Sequence, residues 1–211
     1  MLKSYKTLQN MAQDEFIVEK SKFIGHGFPV SSKEEALAQI ESLQKKYWNA
    51  SHNAWAYIVD SNSQRFSDGG EPQGTAGIPI LEALKKEQLT HTAVVVTRYF
   101  GGVKLGAGGL TRAYAKGARI AVLAGRVITR VLHLTCFAEA AYPFLNPIQK
   151  ELARLNIIIH HIQYTEKVRF VILVAPEQEK NVTAAIMEAS SGSAVVTKGE
   201  FQYVDMPDES L

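Results

Sequence analysis

Cysteine is all but missing from these 211 residues. Cys136 stands alone, so neither an intrachain disulfide nor a multi-cysteine zinc site can form. No apolar run approaches the ~20 residues needed to cross a bilayer. The opening stretch MLKSYKTLQNMAQDE lacks the apolar core of a secretory signal. A soluble, cytoplasmic protein with no membrane contact is expected. Acidic residues are missing from one long window. Between Glu87 and Glu139 there is no Asp or Glu, whereas Arg98, Lys104, Arg112, Lys116, Arg119, Arg126 and Arg130 give that window a charge of +7. The net charge of only +2 for the whole chain hides this segregation. With 46% apolar and 21% charged residues, there is enough apolar surface for a packed core. The length allows one large domain or two small ones at ~100–200 residues each.

Seven cations with no intervening acid would attract polyanions such as RNA, nucleotides or acidic proteins, provided that folding brings them together. The competing reading places them on solvated faces of unrelated elements.

Residues 16–30 (FIVEKSKFIGHGFPV) alternate enough to predict a strand or hairpin. Ser32 and Glu35 have capping-box spacing ahead of a helix that places Ala36, Leu37, Ile40, Leu43 and Tyr47 on one face. Ala54–Val59 reads as a short buried strand, and the following DSNSQRFSDGGEPQGTAG reads as loop. Thr75 is the expected cap of a helix over about 76–87, and Thr92–Phe100 carries the strongest strand signal. After a glycine-rich segment, helical spacing resumes from Leu110 to about Ala124. The remainder predicts the order βαββαβ, over about 127–141, 144–155, 157–164, 167–175, 177–190 and 194–204. That order is the split-βαβ, ferredoxin-like motif. The predicted class is α+β, with one domain at 1–130 and a second at 131–211.

The segment GGVKLGAGG joins a buried strand to a helix. Glycine permits positive φ and close approach to the main chain, and free amides at a helix start favour an anion. The spacing is not that of a nucleotide loop. Ala107-Gly108 stands where a Walker motif needs Lys-Ser/Thr, and no G-x-G-x-x-G is present. RNA or another anion is therefore expected at Arg98, Gly101, Gly102, Lys104, Gly106, Gly108, Gly109, Arg112, Lys116 and Arg119, unless the glycines serve only a tight crossover. A second loop carries Asp68, Glu71, Gly74 and Thr75. Its two carboxylates fit a Mg²⁺ site or acid–base work, or else satisfy turn amides and the nearby cations. His52 precedes a strand without forming a nucleophile triad, and His160-His161 lacks metal-ligand spacing. No metal, cofactor or catalytic residue is assigned. A small phosphorylated ligand is an alternative to RNA, and the oligomeric state is open.

SKFIGHGFPV, ASHNAWAYIV, DGGEPQGTAGIPIL and VVVTRYFGGVKLGAGGLTRAY resemble the YigZ/IMPACT family, as a bacterial two-domain member. The resemblance implies a first domain similar to the second domain of ribosomal protein S5. It implies a ferredoxin-like second domain similar to domain V, the last domain, of elongation factor G. Eukaryotic relatives regulate translation initiation by binding the activator of an amino-acid-starvation kinase. A translation-associated protein contacting RNA or a ribosome-associated partner is therefore expected, with an enzyme acting on a phosphorylated small molecule or nucleotide as the alternative. Asp68, Glu71, Gly74, Thr75, Arg98, Gly101, Gly102, Gly106, Gly108, Gly109 and Tyr114 fall on the family pattern. Gly69 stands where Asp or Asn is commoner, and Ala54 where Cys is frequent.

Overall fold

A computed structural model describes residues 2–207. The chain is α+β and divides into two compact units. One comprises residues 5–130 together with 205–207 of the described chain, and the other comprises 131–204 together with 2–4.

The first unit is built on an antiparallel sheet ordered β2 (Ala12–Val18), β3 (Ser21–Pro29), β6 (Thr92–Tyr99), β4 (His52–Ile58), β5 (Gln64–Ser67). β6 occupies the centre, which is why its sequence is a continuous apolar run rather than an alternating one. Val94 and Val96 pack in the cluster beneath α2 (Gly77–Lys86) and α3 (Gly106–Gly125), and Ala93 and Val95 pack in the cluster that includes α1 (Lys33–Lys46). The start of α1 follows its sequence signal. Ser32 Oγ accepts the Glu35 N–H at 3.1 Å, and the Glu35 carboxylate accepts the Ser31 N–H at 2.7 Å. α3 lies close to the sheet because both sides of the contact are glycine. A Cβ on Gly25 would meet the Gly117 carbonyl oxygen at 2.1 Å.

Several expectations need correction. β5 lies inside the stretch read as loop; it is a polar edge strand, paired only with β4 and largely exposed, so no apolar alternation marks it. β1 (Ser4–Leu8) is an addition rather than a correction, since the sequence pattern assigns no element before residue 16. α3 begins at Gly106 rather than Leu110, so glycines that read as loop form its first turn. The α2 start is not capped by Thr75, whose hydroxyl donates to the Pro72 carbonyl at 2.7 Å.

In the second unit the observed order is β7 (Val127–Ala140), α4 (Leu145–Arg154), β8 (Ile158–Tyr164), β9 (Val168–Val174), α5 (Glu179–Ala189) and β10 (Val195–Pro207). The strands lie β10-β7-β9-β8. Leu134, Cys136, Ala138 and Ala140 alternate along β7 into a core with Ile148, Leu152, Val182 and Ile186. Cys136 is a small buried hydrophobe there. His160 and His161 are both exposed on β8.

One buried histidine makes the first unit acid-sensitive. His26, on the α1 side of β3, lies 4.9 Å from the Tyr47 ring, and its Nε2 is buried with no hydrogen-bond partner among the described residues. Burial, reinforced by Lys46, lowers its pKa from 6.5 to about 4. Between those values the unfolded chain binds a proton that the folded chain refuses, so stability rises with pH there. Acidifying from pH 6.5 to 4 should remove up to about 3 kcal/mol through this residue. Urea unfolding across that range should show the slope, and His26→Phe should flatten it.

Candidate functional site

Antiparallel pairing sets Phe23 of β3 opposite Arg98 of β6, and Arg98 opposite His52 of β4. Directly paired residues share a sheet face, and Arg98 shares its face with Val94 and Val96 because side chains alternate along a strand. The guanidinium is therefore carried beneath α3, where it is only 5% exposed.

Such a burial is tolerated only with partners. Arg98 Nη1 donates to Glu71 Oε1 at 2.8 Å, and Nη2 donates to Ser21 Oγ at 3.3 Å. Its carbon centre lies 5.4 Å from the ring centroids of both Phe23 and Phe100. Nε is buried and has no hydrogen-bond partner among the described residues. Tyr114 of α3 donates its hydroxyl to the same Glu71 Oε1 at 2.7 Å. Burial, with the adjacent Glu71 carboxylate, pushes the Tyr114 phenol far above its ordinary value, so it stays a donor. Sequence spacing gave no sign of Ser21, which also accepts the Gly101 N–H at 3.1 Å and ties the glycine segment to the start of β3.

The two carboxylates of the 68–75 loop have different fates. Asp68 accepts N–H groups from Gly74 (2.9 Å), Ala76 (3.0 Å) and Gly77 (2.8 Å), and so caps α2 from a distance. Burial alone would raise its pKa, but these donors outweigh it and hold the carboxyl below its usual range. Asp68 is thus occupied, and no group of three or more metal-ligating side chains exists among the described residues. Glu71, in contrast, lines a cleft of about 550 Å³ with His52, Arg98, Phe100, Lys104, Leu105, Gly106, Ala107 and Leu110 among its walls. His52 Nδ1 lies 3.1 Å from the Gly69 carbonyl oxygen. His52 Nε2 lies 3.9 Å from Glu71 Oε2.

The glycine segment meets several needs. Gly101 packs against the Lys20 backbone, Gly102 and Gly106 take φ of +86° and +68°, and Gly108 and Gly109 lie in the first turn of α3. That helix start has no side-chain cap among the described residues and no acid in its first turn.

The expected cations separate. Lys104, Arg112 and Lys116 line one groove of about 520 Å³ with Phe16, Val18 and Glu19. Lys116 Nζ sits 4.3 Å from the Phe16 ring centroid. Arg119 lines a different groove of about 730 Å³ between α2 and α3, whose walls also carry Glu82, Lys86 and Glu87. Arg130 pairs with Asp205 at 2.9 Å. Arg98, expected as part of the basic surface, is instead consumed by Glu71. Its position on the innermost strand buries it too deeply to meet a polyanion as a free charge. No helix among the described residues is long and apolar enough to cross a membrane.

Residues 19–122 match the Impact N-terminal domain family, and residues 139–193 match a domain of unknown function, DUF1949. The chain is 40% identical over 207 residues to the IMPACT family member YvyE of Bacillus subtilis, covering 97% of this chain and 95% of that protein. It is 31% identical over 183 residues to an IMPACT family member of Haemophilus influenzae, covering 85% and 89% respectively. A crystal structure described as that of a hypothetical protein matches with a TM-score of 0.61 and 27% identity, over 95% of this chain and 99% of the other.

Proposed function

Because this chain belongs to the IMPACT family, we propose that it is a translation-associated binding protein that contacts single-stranded RNA through the groove between β2 and α3. The observation that carries this reading is the convergence of Lys104, Arg112 and Lys116 on one groove, where none of the three forms an ion pair among the described residues. Unpaired cations on one surface release counterions when they meet phosphates. The uncapped start of α3 adds main-chain donors and a partial positive charge.

The fold supports the same reading by analogy alone. On this proposal the first unit is similar to the second domain of ribosomal protein S5. The second, with its βαββαβ order and β10-β7-β9-β8 sheet, is ferredoxin-like and resembles the last domain of elongation factor G. The second unit, residues 131–204 with 2–4, is electrically balanced, whereas the acid-free cationic window lies almost wholly in the first unit, which favours the first unit as the RNA-facing one.

Titrating a single-stranded RNA oligomer at several salt concentrations tests the proposal. Three phosphate contacts should give a log–log slope of about −2, at roughly −0.7 per contact. The combined variant Lys104→Ala, Arg112→Ala, Lys116→Ala should bring the slope close to zero and leave thermal unfolding nearly unchanged. Salt-independent affinity, or a slope that survives the triple variant, would remove RNA from the account.

A further inference from the structure

The cleft beside the basic groove is a site that the groove does not explain. Lys104 and Leu105 line both, so the two adjoin at these residues. At the inner end, Glu71 Oε1 already accepts from Arg98 and Tyr114, whereas Oε2 has no hydrogen-bond partner among the described residues. His52 Nδ1 faces a carbonyl oxygen, which can only accept, so the neutral ring carries its proton on Nδ1 and presents a lone pair at Nε2. Two acceptors, Nε2 and Oε2, therefore stand 3.9 Å apart, too far to bond to each other. This pair needs two neighbouring donors from a ligand.

The other walls define the rest of that ligand. Lys104 and the opening residues of α3, Gly106 and Ala107, offer cationic and amide donors to an anion. Phe100, 49% exposed, with Pro72, Leu105 and Leu110, supplies apolar surface for a flat ring. A volume of about 550 Å³ is of the size that takes a small organic ligand.

We infer that this cleft holds a ribonucleotide by its vicinal 2′- and 3′-hydroxyls, which donate to Glu71 Oε2 and His52 Nε2 while the phosphate lies toward Lys104 and the start of α3. The inference rests on the RNA reading above and deepens it: the unit recognised is a ribonucleotide with a free cis-diol, either the 3′ end of an RNA or a free mononucleotide.

The test compares ligands that keep every phosphate and lose only the diol. A labelled RNA oligomer with a free 3′ end should bind at least about tenfold more tightly than the same RNA ending in a 2′,3′-dideoxynucleotide, since a hydrogen bond to a charged acceptor is of that strength. Calorimetry with adenosine 5′-monophosphate and its 2′,3′-dideoxy analogue forms the second arm. Diol-dependent binding in the second arm assigns the site to free nucleotides as well, and diol-dependence confined to the oligomer assigns it to RNA ends. His52→Ala, at a partly exposed position, should erase the preference while keeping the salt slope and the unfolding midpoint. Equal affinity for diol and dideoxy ligands in both arms would overturn the cleft assignment and leave the groove intact. Absence of salt-dependent RNA binding would instead sink the groove proposal.

Discussion

Glu71→Ala should destabilise the first unit by about 3–5 kcal/mol, the range for removing one partner of a buried ion pair. The carboxylate neutralises a guanidinium that is 5% exposed and takes a second bond from the Tyr114 hydroxyl. Without it, a full positive charge and a phenol donor remain in a space closed by Phe23 and α3. Thermal unfolding should move down by more than about 10 °C, and amide exchange of β6 should accelerate. Glu71→Gln, which keeps an acceptor for Tyr114, should cost less. A loss below about 1 kcal/mol for the alanine variant would mean that the pair is solvated rather than buried.

Gly25→Ala should be as severe, although it adds one methyl group. The new Cβ would sit 2.1 Å from the Gly117 carbonyl oxygen and 3.1 Å from Ala121 Cβ, and the first of these is backbone that no rotamer change can move. α3 must lift away from β3, at a cost of about 3 kcal/mol or more for overpacking. The same change at Gly108 should have the opposite sign. There the new Cβ meets only Arg112 Nη1 at 3.5 Å, and helix propensity should add up to about 1 kcal/mol. Urea unfolding of the two variants side by side checks both, and a mild Gly25→Ala would show that the helix–sheet spacing is adjustable.

Most of the scaffold was legible from local pattern, because hairpins, caps and buried strands leave periodic or positional marks. Ser32 with Glu35 announced α1, and the run Thr92–Tyr99 announced the central strand. β1 and β5 were not legible. Their residues are largely polar, and strand geometry there comes from pairing with neighbours rather than from their own alternation. The first turn of α3 was hidden by glycine, whose low propensity is overridden by packing further along the helix.

For the candidate site, charge counting grouped Arg98 with Lys104, Arg112 and Lys116, although the structure locks Arg98 to Glu71 and places the other three along one groove. A count cannot tell a groove cation from one locked to a carboxylate 27 positions earlier. Nor could it separate Asp68 from Glu71. Both lie in one polar loop, yet one tethers the start of a helix and the other lines a cleft. Ser21, 77 positions from Arg98, enters through tertiary contact alone.

The clamp around Glu71 draws on a loop, a central strand and a helix, so the inner wall is already in place before any guest arrives. The outer cations, by contrast, sit on long flexible stems. A division of kinetic labour follows. Lys104, Arg112 and Lys116 should govern how fast a polyanion is captured, and hence how ionic strength slows encounter. The rigid inner wall, which loses little freedom on contact, should set how long the captured molecule stays.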